Sequence, residues 1–137
     1  AIGMSGIAEN FIVEEMITDG VAELILGLYV DPQFGPTLTL GAGGIFTELM
    51  KDSVAILFPV SEKQVREYIE KLRINVLLKG WRGKPGGDTE ALVEAVILFA
   101  DFVEHHADSL FGCEINPLIV RPSGKGVVAV DVLINFK

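Results

Sequence analysis

Residues 112–136 read GCEINPLIVRPSGKGVVAVDVLINF, two apolar, largely β-branched runs joined by PSGKG. Such runs on either side of a Ser-Gly centre predict an antiparallel hairpin with Ser123 and Gly124 at its tip. Counting outward from that tip sets Val120 against Val127, Leu118 against Ala129, Asn116 against Asp131 and Glu114 against Leu133. Strict alternation then puts Glu114, Asn116, Leu118 and Val120 on one face, with three polar groups converging at one end of it. A carboxylate or amide buried among apolar side chains costs about 2 kcal/mol or more unless something compensates it. Directly opposed residues have Cβ atoms about 5 Å apart, so the Asn116 amide oxygen and the Asp131 carboxylate can share one cation, with Glu114 a pleat away. An all-oxygen donor set of this kind suits magnesium. The same pattern also fits a solvated strand end at which Glu114 and Asp131 pair with Lys or Arg.

Outward from the hairpin, the chain alternates little. FIVEEMI (11–17), AELILGLYV (22–30), PTLTLGAGG (36–44) and VAILFPV (54–60) read as four strands, the third ending in glycines. Ser61 then opens SEKQVREYIEKLRI, with Gln64 at the reciprocal capping-box position and Val65, Tyr68, Ile69 and Leu72 forming one apolar stripe, which predicts a helix. GWRGKPGGD (80–88) is a loop by its glycines and proline. Asp88 caps a second, longer helix whose core face carries Leu92, Val96, Phe99 and Val103. Strands, then two helices, then strands is an α+β order: a mainly antiparallel sheet with two principal helices. At 137 residues the expectation is a single domain, 1–137, with no internal repeat or linker.

Eleven Lys and Arg against nineteen Asp and Glu give a net charge of -8, which argues against a nucleic-acid surface or an anionic membrane face. No apolar run approaches the roughly 18 residues of a membrane span, and the N-terminus lacks the basic start of a signal peptide, so the expectation is a soluble, cytoplasmic protein. The lone Cys113 reads as core, His105 and His106 as a helix end favoured by the dipole, and Trp81 as an anchor packed on the core. Arg82 and Lys84 fit either a contact to phosphate or carboxylate or a solvated loop. GAGG (41–44) suits close backbone approach to a phosphate or a turn needing positive φ, and with Phe46 at the place of a third glycine it does not complete a dinucleotide fingerprint.

FIVEEMI, ELILG, DPQFGPTLTLGAGGIFTELMKD, LLKGWRGKP and EINPLIV, in this order and spacing, resemble the ATP-grasp branch of nucleoside-diphosphate-forming acyl-CoA synthetases. Examples are ADP-forming acetyl-CoA synthetase and, more distantly, succinyl-CoA synthetase. The likeness covers nearly the whole chain. It implies that Glu15 and Met16 lie against the adenine of ATP or ADP and that Glu23 holds the ribose hydroxyls. It also implies that Gly43 and Gly44 belong to the glycine loop facing the phosphoryl-transfer centre. Asn116 and Asp131 would be magnesium ligands, with Glu114 a ligand or its neighbour. The resemblance further implies that the chain is the second half of an ATP-grasp fold, with the first ATP-grasp subdomain and the CoA-binding domains absent. The isolated chain would then be inactive. The phosphohistidine would come from domains of the same chain or of a partner subunit.

The implied reaction converts acyl-CoA, phosphate and ADP to the acid, CoA and ATP. The branch often carries arginine where Ile56 and Leu133 stand. Losing two cations from a phosphoryl-transfer centre removes transition-state stabilisation. The alternative is therefore a diverged, non-catalytic regulatory or assembly module.

Overall fold

A computed structural model of the chain describes residues 13–44 and 51–137. Strands β1 (Ala22–Asp31), β2 (Gly35–Ala42) and β3 (Ser53–Leu57) come first, followed by helices α1 (Glu62–Lys71), α2 (Asn75–Leu78) and α3 (Thr89–His105). Strands β4 (Leu110–Val120), β5 (Val127–Ala129) and β6 (Val132–Phe136) close the chain. All pairings are antiparallel, in the order β3-β2-β1-β4-β5, with β6 on the same strand β4 as β5. The α+β order read from the sequence is the order of the structure.

The first three strands form a meander whose even-numbered residues point one way. Leu24 and Leu26 of β1, Leu38 and Leu40 of β2 and Ile56 of β3 lie wholly buried in one core with Val65 and Ile69 of α1 and Leu92 and Val96 of α3. The helices thus cover one face of the sheet, and the odd-numbered residues form the other. Both caps expected from sequence are present. The Ser61 hydroxyl accepts from the Gln64 N–H while the Gln64 side-chain Oε1 accepts from the Ser61 N–H at 3.0 Å. The Asp88 carboxylate accepts from the Ala91 N–H at 3.2 Å and opens α3. Among the described residues, no helix is long and apolar enough to cross a membrane.

Two expectations need correction. Val13 to Gly20 form no strand: Phe11 and Ile12 of FIVEEMI lie outside the described residues, and the rest of it runs irregular and largely exposed into β1. Without a strand to pair with, its apolar positions have no second row to bury them. Trp81 is not a core anchor; it is 50 % exposed and stacks with the Arg82 guanidinium, 5.6 Å from the ring centroid. Its loop is held by the backbone instead. The Lys84 N–H donates to the Trp81 carbonyl, and Arg82 adopts a left-handed φ of 48° at the turn.

Candidate functional site: the open face of the sheet

The predicted hairpin forms in the predicted register. Val120 pairs with Val127, Leu118 with Ala129 and Glu114 with Leu133, and the Asn116 N–H donates to the Asp131 carbonyl at 2.9 Å. The second arm is broken at Val130 and Asp131 into β5 and β6, but the count is kept through the break by the Val130 N–H to Pro117 carbonyl bond.

The face is not the one that alternation predicts. On the other side of β4, Leu118 pairs with Leu24 but Ile115 pairs with Leu26, so two residues, Asn116 and Pro117, stand against Ile25. This β-bulge shifts the side-chain phase by one. Leu118 and Val120 therefore face the helices, as do Ile115 and Cys113 below the bulge, while Glu114 and Asn116 turn to the open side. There both are exposed, and the Asn116 amide donates to the Glu114 carboxylate at 3.4 Å. A straight strand would have directed them into leucines. The bulge removes the burial cost that the sequence pattern raised.

The same open side carries Glu23, Ile25 and Gly27 of β1, with Gly27 directly opposite Glu114 and opposite Thr39 of β2. Gly43 follows β2, and its N–H donates to the Glu23 carbonyl at 2.7 Å. A side chain at residue 43 would meet the Leu24 carbonyl carbon at 2.9 Å, so glycine is required for this close approach. Gly44, at φ 74°, lies beneath the Glu23 carboxylate; a Cβ there would be 2.8 Å from Glu23 Oε2. Glu23, Gly43 and Gly44 thus form one unit and line a cleft of about 500 Å3 with Ile17, Thr18, Ile74 and Leu77. The glycine loop beyond Gly44, with Phe46, lies outside the described residues.

The remaining candidates separate from this set. Glu15 and Met16 are exposed on the irregular segment before β1, with Met16 81 % exposed. Arg82 and Lys84 line a neighbouring cleft of about 590 Å3 with Asp19, Val21, Leu77, Trp81 and Pro122. His105 ends α3 and His106 caps it, the Nδ1 of each bonded to the carbonyl four residues back. Cys113 is buried, and burial pushes its thiol pKa up, away from nucleophilic use.

Of the two positions where arginine was expected, only Leu133 borders the open face, opposite Glu114. Ile56 is wholly buried, paired with Leu38 and packed under the helices, so the expected loss of a cation from the site does not arise there.

Asp52 is a residue that sequence reasoning passed over. It is buried, and its carboxylate accepts from the Arg73 and Ile74 N–H groups at 2.7 and 2.8 Å. Its own carbonyl accepts from the Ala42 N–H. Asp52 thereby ties the end of β2, where the glycines begin, to the start of α2. The only local signal is an acidic residue at the head of a strand.

Among the described residues no three His, Cys, Asp or Glu side chains cluster to hold a metal ion. The donor set here is mixed, Glu114 and Asn116 in mutual contact with Asp131 opposite by register, and its oxygens fit a hard divalent cation with open positions for phosphate and water.

The fold has counterparts among known proteins. A model of the ATP-grasp domain matches residues 5–136. The chain is 36 % identical over 115 residues to the beta subunit of ADP-forming acetate–CoA ligase II of Pyrococcus furiosus, covering 84 % of this chain and 49 % of that one. It is 34 % identical over 128 residues to the ADP-forming 4-hydroxybutyrate–CoA ligase of Nitrosopumilus maritimus, covering 93 % of this chain and 18 % of that one. Among solved structures it is similar to a dinucleotide-forming acetyl-coenzyme A synthetase of Candidatus Korarchaeum cryptofilum. The apo form superposes with TM-score 0.79 at 36 % identity, covering 90 % of this chain and 57 % of that one. Its complex with coenzyme A and Mg-AMPPCP superposes with TM-score 0.77 at 36 % identity, over 85 % and 53 %. The chain spans about half the length of the Pyrococcus subunit and less than a fifth of the Nitrosopumilus ligase. The antiparallel sheet, its helix-covered back and the near-complete match of the domain model together show that the chain belongs to the ATP-grasp domain family, on the branch of the ADP-forming acyl-CoA synthetases.

Proposed function

We propose that the open face of the sheet is one wall of a magnesium-nucleotide site in an acyl-CoA synthetase that forms a nucleoside diphosphate. The observation that carries this reading is the β-bulge at Asn116–Pro117, which turns Glu114 and Asn116 onto the face where Glu23 and the Gly43–Gly44 backbone also stand. Glu23 holds the ribose hydroxyls, and Gly43 and Gly44 let the backbone approach the phosphates. Glu15 and Met16 lie along the base. Asn116 and Asp131 would hold magnesium, with Glu114 as ligand or neighbour. Bound there, the ion supplies charge neutralisation to phosphate oxygens.

The chain's own residues bind and orient the nucleotide. The phosphohistidine and the CoA site belong to other domains of the same chain or of a partner subunit. In the reaction, acyl-CoA, phosphate and ADP give acid, CoA and ATP. A similar acetyl-coenzyme A synthetase, whose complex holds coenzyme A and Mg-AMPPCP with its phosphohistidine segment pointing towards the nucleotide site, supports this assignment. Use of ATP and ADP agrees with a cytoplasmic protein.

One wall encloses little of a nucleotide, whereas small-molecule sites enclose most of their ligand. The 137 residues alone therefore bind ATP weakly and carry out no ligation. Titration calorimetry with ATP and magnesium tests this, and a dissociation constant at or below the low micromolar range overturns the half-site reading. For the whole protein, ATP formation from ADP, phosphate and an acyl-CoA is the direct assay.

Leu133, exposed opposite Glu114 where the branch often has arginine, favours a second reading: a diverged module that binds nucleotide without turnover. Magnesium-dependent binding by the whole protein with no ligation of any acyl-CoA supports that reading instead.

A further inference from the structure

The segment that leads into β1 is held to the sheet at three successive residues. The Val21 N–H donates to the Val120 carbonyl at 2.8 Å. Gly20 packs so closely on Ile119 that a Cβ would sit 2.9 Å from its Cγ2. Asp19 receives a two-pronged contact from Arg121, Nε to Oδ1 at 2.8 Å and Nη2 to Oδ2 at 2.9 Å. Before Asp19 the described chain is irregular and mostly exposed.

Arg121 is itself fixed. Its N–H donates to the Gly126 carbonyl, and its carbonyl accepts from the Asp88 N–H at 2.9 Å. The Asp88 carboxylate accepts from the Gly126 N–H at 2.9 Å and from the Ala91 N–H that opens α3. One aspartate therefore joins the hairpin turn to the longest helix, and the arginine on that joint grips a residue 102 positions away in sequence. A planar guanidinium bonded at two points to a carboxylate sets direction as well as distance. The Arg121 fork also holds the Asp19 carboxyl below the usual aspartate range, so the pair is ionised near neutral pH.

We propose that Arg121 is a positioning residue for nucleotide binding: through Asp19 it sets the angle at which residues 13–18 leave the sheet, and so where Glu15 and Met16 stand relative to Glu23. This rests on the nucleotide reading above. The pair joins the segment before β1 to the residue just after β4. Its loss weakens binding of the base in ground and transition states alike, and so raises KM without lowering kcat.

The test uses the whole protein with Asp19→Ala, Arg121→Met, the double variant and Arg121→Lys, each checked for a cooperative melt, with ATP affinity by calorimetry and steady-state kinetics. Each single change raises the nucleotide Kd and KM by about three- to tenfold, the range for a partly exposed two-point ion pair. The kcat stays within about twofold, as uniform binding requires. The double variant is no worse than either single one, and Arg121→Lys, which keeps the charge but loses the fork, falls between wild type and Arg121→Met. A merely structural role lowers the folded fraction and hence apparent kcat while leaving KM unchanged, and that result overturns the proposal. So do additive single effects, or unchanged affinity in folded variants of a wild type that binds ATP. A wild type that binds no nucleotide overturns the nucleotide reading and this inference together.

Discussion

The two faces of the sheet are built from alternate residues of the same strands and differ in almost every respect. On the helix-covered side, Leu24, Leu26, Leu38, Leu40 and Ile56 are wholly buried and interlock with α1 and α3. On the open side stand Glu23, Gly27, Thr39, Gly41 and, through the bulge, Glu114 and Asn116. The first face is where hydrophobic burial stabilises the chain. The second carries the exposed acidic and amide side chains beside Ile25 and Leu133, with glycine at residue 27 directly opposite Glu114. The buried core and the proposed ligand contacts thus fall on opposite sides of one layer, so substitutions on the two sides are expected to have separable consequences.

The largest expected effect is on the open side. If Asp131 holds magnesium as proposed, Asp131→Asn reduces turnover of the whole protein by about a hundredfold or more, because a neutral amide is a poorer magnesium ligand and the phosphates lose a counter-charge. The stability of the 137-residue chain stays level or rises slightly, since Asp131 is exposed. Turnover assays paired with thermal melts decide this. Destabilisation with normal specific activity would make Asp131 an ordinary structural ion-pair partner and break the separation of the faces.

On the covered side the order reverses. Leu38→Ala opens a cavity between β2 and the helices and destabilises by roughly 3–5 kcal/mol, the range for wholly buried leucines. Urea unfolding measures the loss, while nucleotide KM of the folded fraction remains unchanged.

Two glycines on the open side sharpen the comparison. A Cβ at Gly41 would lie 2.7 Å from both the Asp52 carbonyl oxygen and the Ser53 Cβ across the ladder to β3, so Gly41→Ala costs about 1–3 kcal/mol. At Gly27 the nearest atoms are at 3.6 to 3.9 Å, ordinary contact, and Gly27→Ala changes stability by about 0.5 kcal/mol or less. Equal melting temperatures for the two variants would show that the open side is uniformly permissive.

A pH-dependent effect belongs to Asp88. Backbone N–H groups of Gly126 and Ala91 hold its carboxyl below the ordinary aspartate value of about 3.9. A lowered folded pKa means stability that is present above the unfolded value and lost as pH falls through the folded one. Melts of the wild type and Asp88→Ala therefore differ near neutral pH and converge in acid. A gap independent of pH would assign the effect to packing.

Features whose physics is local were legible in the sequence. Ser61 with Gln64 and Asp88 before its helix declare themselves because a cap involves residues within one turn. The tip at Ser123 and Gly124 declares the register because a hairpin is counted from its turn. That Asn116 stands against Asp131, with Glu114 two residues along the same strand, followed from the same count. Only the tertiary structure decided which side they occupy. Period-two alternation carries no information about which face the helices cover, and the bulge at Asn116–Pro117 exists only relative to Ile25 on the neighbouring strand. The same holds for Ile56, an expected site position that proves to be core, and for Asp52, whose hydrogen bonds reach across to α2. It holds most of all for Arg121 and Asp19. Their pairing depends on β1 and β4 lying side by side, and that adjacency comes from burying Leu24 and Leu26 against Leu118 and Ile115, an energy no local pattern expresses.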